Sequence, residues 1–91
     1  MNRKEVVDAV NDKTGYPKTQ INDTIKALLD TITESLEDGE KVGFVGFGAF
    51  DVRERDARKG RNPQTGKTMT IPAATIPKFR PGKNLKDRVN S

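Results

Sequence analysis

The chain has 91 residues, no cysteine, no histidine, an apolar fraction of 32% and a formal net charge of +4. This allows one small domain and excludes both disulfide staples and the usual histidine- and cysteine-based zinc sites. A single core in this size range supplies only about 3–5 kcal/mol, so oligomerisation is the remaining source of stability and a dimer is expected.

Asn2, with Glu5 three residues on, has the form of a capping box opening a first helix. Its apolar stripe is Val6, Val7 and Val10 with Ala9, and Thr14-Gly15 ends it. Tyr16-Pro17 forces an extended connection, because proline disfavours helix in the residue before it. The second helix carries Ile21, Ile25, Leu28, Leu29, Ile32 and Leu36, a continuous stripe at the 3.6-residue period. It begins at Pro17-Lys18 or Thr19 and ends at Asp38-Gly39. Three valines on the first helix are too few to cover that stripe, whereas the same helix of a second copy would cover it.

Lys41–Val45 reads as a strand, Gly46-Phe47-Gly48 as a turn and Ala49–Val52 as a second strand. Phe44, Phe47, Phe50 and Phe79 are most simply core residues. Arg53–Lys67 follows, with six basic residues and two acidic ones and almost nothing to bury. It lies between two strand-like runs and so reads as a cationic hairpin. Asn62-Pro63-Gln64-Thr65-Gly66 is its tip and Thr68–Ile76 its return. Pro72 and Pro77 suit an edge or a two-stranded arm, since they bring no ladder donor. A two-stranded ribbon without a core is marginal alone, so the arm is expected to be mobile until a ligand orders it. Arg80-Pro81-Gly82 breaks the chain before a last helix, Lys83–Val89, with Leu85 and Val89 facing inward. Lys83 stands in its first turn, where free amides favour a phosphate.

The charge is divided. Residues 1–52 hold six basic and ten acidic side chains, and residues 53–91 hold eleven and three. That asymmetry points to a polyanion-binding face opposite a solvated one. Gly66-Lys67-Thr68 resembles the end of a phosphate loop, but the required earlier glycine is Arg61 and the flanks read strand to strand. No nucleophile, general base, cofactor or metal motif is present, so neither an enzyme nor a small-molecule substrate is expected. No segment reads as a membrane span or export signal, which leaves a cytoplasmic location.

Val45-Gly46-Phe47-Gly48-Ala49-Phe50, Arg58, Gly60-Arg61-Asn62-Pro63-Gln64-Thr65-Gly66-Lys67, Pro77-Lys78-Phe79-Arg80-Pro81-Gly82-Lys83 and Leu85-Lys86 resemble the bacterial HU nucleoid proteins, which stand with integration host factor in one DNA-bending family. The resemblance runs the length of the chain. It implies an α+β fold in an intertwined dimer, with a helical base, a three-stranded antiparallel sheet per subunit and a long protruding β-ribbon arm. Residues 1–91 would form a single domain: 1–40 the helical dimerisation part, 41–82 the sheet with its arm at about 53–76, and 83–91 the last helix. The implied partners are double-stranded DNA and a second copy of the chain, with a paralogous subunit as the alternative, in the nucleoid. The dimer core would hold Ile25, Leu28, Leu29, Ile32, Leu36, Phe44, Phe47, Phe50 and Phe79.

By the same resemblance, Pro63 is an apolar wedge between base pairs, and Arg53, Arg55, Arg58, Lys59, Arg61 and Lys67 line an arm running along the minor groove. Asn62 and Gln64 reach base edges or sugars at the tip. Arg3, Arg80, Lys83 and Lys86 hold phosphates on the body. The chain departs from the commoner pattern at Pro17, where a Ser or Thr cap is usual, and at Pro81, where a small residue is usual. The implied function is DNA bending with little sequence preference. Competing readings are a site-preferring relative of the integration host factor or phage type, an RNA binder, and a purely structural dimer.

Overall fold

The computed structural model describes all 91 residues, and the chain divides into two compact units, Met1–Glu34 and Ser35–Ser91. The first is helical. Helix α1 spans Arg3–Thr14, and helix α2 spans Lys18–Glu37, its last turn falling in the second unit. The capping box forms as expected. Asn2 Oδ1 accepts from the Glu5 amide at 2.9 Å, and Glu5 Oε1 accepts from the Asn2 amide at 3.5 Å. An Asn cap of this kind is worth about 1 kcal/mol over alanine.

Gly15 closes α1 in the left-handed conformation, donating to the Asn11 carbonyl at 2.8 Å. Pro17 offers no side-chain acceptor to the start of α2. Two other contacts hold that corner: Asn11 Nδ2 donates to the Tyr16 carbonyl at 2.7 Å, and Lys18 Nζ pairs with Asp8 Oδ1 at 3.1 Å. The ion pair is exposed, so its share is at most about 1 kcal/mol. At the far end of α2, Glu40 N donates to Ser35 O and Gly39 N to Leu36 O, a Schellman termination at the expected Asp38-Gly39.

The second unit is a three-stranded antiparallel sheet in the order β1-β2-β5, a two-stranded sheet β3-β4, and helix α3. Strand β1 is Val42–Phe44, β2 Gly48–Arg55, β3 Arg58–Arg61, β4 Thr68–Ile71, β5 Ala74–Pro81, and α3 Lys83–Val89. Strand β5 lies at a sheet edge, which accommodates Pro77 and Pro81 without costing a central ladder bond. The β1–β2 turn closes with Phe47 N donating to Phe44 O at 2.9 Å. Its third residue, Gly46, takes φ 83°, a value a side chain would resist. Val45 therefore belongs to the turn rather than to the strand expected to end there, and it is fully exposed.

The arm expected from Arg53 to Ile76 is paired in two segments rather than by one unbroken ladder. Strand β2 continues through Arg55 in register with β5, pairing Arg53 with Ile76 and Arg55 with Ala74. A separate ribbon begins only at Arg58, opposite Ile71. Asp56-Ala57 and Pro72-Ala73 belong to no strand. Proline has no amide hydrogen, so Pro72 brings no donor to a ladder there. Val89 does not face inward: it is 74% exposed, whereas Leu85 is half-buried.

The phenylalanines are also not core within one chain. Phe44 is 39%, Phe47 50% and Phe79 41% exposed, and only Phe50 is half-buried. They pack among themselves, Phe79 lying 5.6 Å from Phe47 and 5.0 Å from Phe50 between ring centroids. Of the helical stripe, Ile21 and Ile32 are buried and Ile25 and Leu36 half-buried, while Leu28 and Leu29 stand about half exposed.

Gly48 explains the spacing of the Gly-Phe-Gly-Ala-Phe motif. A Cβ there would stand 2.6 Å from the Arg80 carbonyl oxygen and 2.7 Å from the Phe79 ring. The ring covers the backbone of β2, and only glycine leaves room for it. Gly48→Ala should therefore lower stability by about 1–3 kcal/mol in chemical denaturation. A midpoint unchanged from the wild type would show that the aromatic cluster tolerates displacement.

Candidate nucleic-acid interface

The ribbon β3–β4 is short and regular. Arg58 pairs with Ile71, Lys59 with Thr70, Gly60 with Met69 and Arg61 with Thr68. Alternation puts directly opposed residues on a common face. Lys59, Arg61, Thr68 and Thr70 form one face, with two cations and two hydroxyls. Arg58, Gly60, Met69 and Ile71 form the other. On that second face Ile71 leans over Gly60, where a Cβ would meet Ile71 Cδ1 at 3.0 Å. The expected arm cations Arg58, Lys59 and Arg61 thus share the ribbon but not one face. All three are exposed and none is in an ion pair.

The tip is built by Asn62. Its amide donates to Lys67 O at 2.9 Å, its carbonyl accepts from Gly66 N at 2.7 Å, and its Oδ1 accepts from Gln64 N at 2.9 Å. Gly66 completes the return with φ 72°. Thr65 Oγ1 accepts from Lys67 N at 3.3 Å. Pro63 suits the first loop position because its fixed φ favours the turn and its missing donor leaves nothing unsatisfied. Its ring and the Gln64 side chain are exposed at the end of the ribbon. Asn62 is half-buried and half committed, because Oδ1 holds the turn.

Root and body positions differ in how free they are. Arg53, on β2, is exposed. Arg55 is half-buried, and its Nη2 donates to the Pro72 carbonyl at 3.1 Å. Arg80 pairs with Asp51 at 3.5 Å, and Asp51 Oδ1 also accepts from Val52 N at 2.8 Å, so Arg80 is tethered to its own sheet. Lys83 and Lys86 are exposed on α3. The junction before that helix is tied to the β1–β2 turn by Gly82 N donating to Phe47 O at 2.8 Å. Arg3 is exposed at the start of α1, in the other unit.

Sequence reasoning missed four participants: Thr68, Thr70, Asp51 and the Pro72 carbonyl. Thr68 and Thr70 were legible from period two once the register was known. Asp51 as tether of Arg80 required the β2–β5 register, which pairs Ala49 with Arg80 and Asp51 with Lys78. The bond from Arg55 to Pro72 spans 17 positions and leaves no sequence signal. No group of three or more acidic side chains is placed to hold a metal ion, and no helix is long and apolar enough to cross a membrane.

The family model described as bacterial DNA-binding protein matches residues 1–90. The chain is 53% identical over 89 residues to the DNA-binding protein HU of Geobacillus stearothermophilus, covering 98% of this chain and 99% of that one. It is 50% identical over 91 residues to DNA-binding protein HU 2 of Bacillus phage SPbeta, covering 100% and 99%. Among solved structures, the Anabaena HU–DNA cocrystal superposes with a TM-score of 0.91 at 47% identity, covering 98% of this chain and 97% of that one. The family-model match over nearly the whole chain, the 53% identity over 89 residues and the matching fold place the chain in the bacterial DNA-binding protein family of HU.

Proposed function

We propose that this protein is an architectural DNA-binding protein that wraps and bends double-stranded DNA through the minor groove with little sequence preference, compacting the nucleoid and favouring distorted DNA. It is not an enzyme. The observation that carries this is the ribbon: Lys59 and Arg61 share one face with Thr68 and Thr70, and an exposed Pro63 crowns the tip. A cationic two-stranded ribbon fits a groove of phosphates. The minor groove offers a degenerate donor and acceptor pattern, so contact there gives affinity but little sequence information. A proline entering between base steps costs a few kcal/mol of unstacking, which the wrapped phosphates offset. Kinks of about 20–90° characterise minor-groove architectural proteins, among which HU is itself a standard example.

In this reading Lys59, Arg61, Arg58, Arg53 and Lys67 grip phosphates along the arm, and Gln64 reaches sugars or base edges. Asn62 chiefly shapes the tip. Arg3, Arg80, Lys83 and Lys86 hold flanking phosphates on the body, Arg80 after release from Asp51. The working molecule is a homodimer, and the surface left open in one chain supports this. Leu28, Leu29, Phe44, Phe47 and Phe79 are large, apolar and 39–50% exposed. Covering them with a second copy is the simplest use of apolar faces that neither unit buries by itself. The parts are then 1–40 for dimerisation, 41–82 for sheet and arm, and 83–91 for the last helix, all one functional domain in the cytoplasm on the nucleoid.

Leu29→Asp would place a charge in that covered stripe, and it should abolish assembly or folding in sedimentation and circular dichroism. A stable folded monomer would contradict the interface. Pro63→Ala should lower both the bend angle and the preference for nicked DNA while leaving most salt-dependent binding intact. Fluorescence transfer across a labelled duplex measures the bend, and an angle equal to the wild type would reject the wedge. Selection of one site over random duplex by about 10³ or more would favour the site-preferring relative instead.

A further inference from the structure

The ribbon and the three-stranded sheet are separated by a matched break. The β2–β5 register ends at Arg55 opposite Ala74, and the β3–β4 register begins at Arg58 opposite Ile71. Two residues on each side, Asp56-Ala57 and Pro72-Ala73, lie between. No backbone hydrogen bond joins these four residues across the break. One side-chain bond spans it: Arg55 Nη2, rooted on β2, donates to the carbonyl of Pro72 at 3.1 Å. Arg55 stands between Glu54 and Asp56 in the chain, yet it is ion-paired to neither. Its Nε is buried without a partner. An open cleft lined by Glu54, Asp56, Ala73 and Thr75 flanks the guanidinium. The guanidinium is therefore engaged in the joint, half-buried, whereas Arg53 and Arg58 on either side are exposed.

We propose that Arg55 is a positioning residue: its guanidinium, bonded to the Pro72 carbonyl, sets the orientation of the β3–β4 ribbon on the sheet and thereby the angle at which Pro63 meets DNA. The first half concerns the free protein. The second rests on the DNA-bending function proposed above. Arginine suits the task because its planar fork presents several donors in fixed directions, whereas a lysine ammonium is a point charge on a flexible stem. Charge alone would not distinguish the two.

Arg55→Lys keeps the charge and removes the fork, so it separates positioning from phosphate contact. In ¹⁵N relaxation of the free protein, rigid backbone gives order parameters of about 0.85 and flexible backbone below about 0.6. Arg55→Lys should lower the values at Lys59 and Thr70 by at least about 0.1 relative to Phe50 and Phe79, whose own values report that the sheet is intact. Unchanged ribbon values, or a wild-type ribbon already as loose as the variant's, overturn the clamp. On labelled duplex the same variant should broaden the distribution of bend angles. A loosened ribbon with an unchanged distribution overturns the link to bending. A wild-type protein that bends no DNA defeats the functional proposal while leaving the relaxation result to decide the clamp.

Discussion

The pairing of β2 with β5 is the interaction on which the rest depends. Its eight register pairs run from Gly48 opposite Pro81 to Arg55 opposite Ala74. One end is anchored by aromatic packing: Phe79 covers Gly48 and packs against Phe47 and Phe50. The other end delivers the chain to the joint with the ribbon. A two-stranded ribbon of four residues a side buries too little to stand alone. Its orientation must come from its roots, and its rigidity at the tip from the Asn62 and Gly66 hydrogen bonds.

The same economy of burial runs through the molecule. Val7, Ile21 and Ile32 are the only buried apolar side chains, and no polar or charged residue is buried. Large apolar residues on α2 and on the sheet remain open to solvent. A chain so built is stable through what covers those surfaces, and in the proposed dimer the covering element is a second copy. The charge division follows the same plan: the basic residues concentrate beyond position 52 and the acidic ones before it, which concentrates positive field where a polyanion would be held.

Much of this was legible in the residues because local rules applied without competition. Asn2 and Glu5, Gly15 and Gly39 bounded their helices as their types dictate. The 3.6-residue stripe from Ile21 to Leu36 marked the long helix, and Asn62 to Gly66 marked the tip. Val45 and Val89 aside, the departures lay where the outcome depended on pairing across the chain. Period two continued unbroken past Val52, so nothing local separated the end of β2 from the start of the ribbon. The joint emerged only from the register. Aromatic residues were read as core by type, yet their burial depends on a surface one chain does not supply. Arg55 looked like its neighbours Arg53 and Arg58, and only its bond to Pro72 sets it apart.

The claim that a cationic ribbon wraps DNA is tested most directly by the salt dependence of binding to linear, nicked and four-way-junction DNA. If the dimer neutralises about eight phosphates, log K for linear duplex falls with log salt at a slope near −7. The nicked and junction forms should bind more tightly at each salt concentration, since their unstacking is already supplied. A slope shallower than about −2, with no preference among the three forms, would contradict wrapping and leave the basic half a solvated surface.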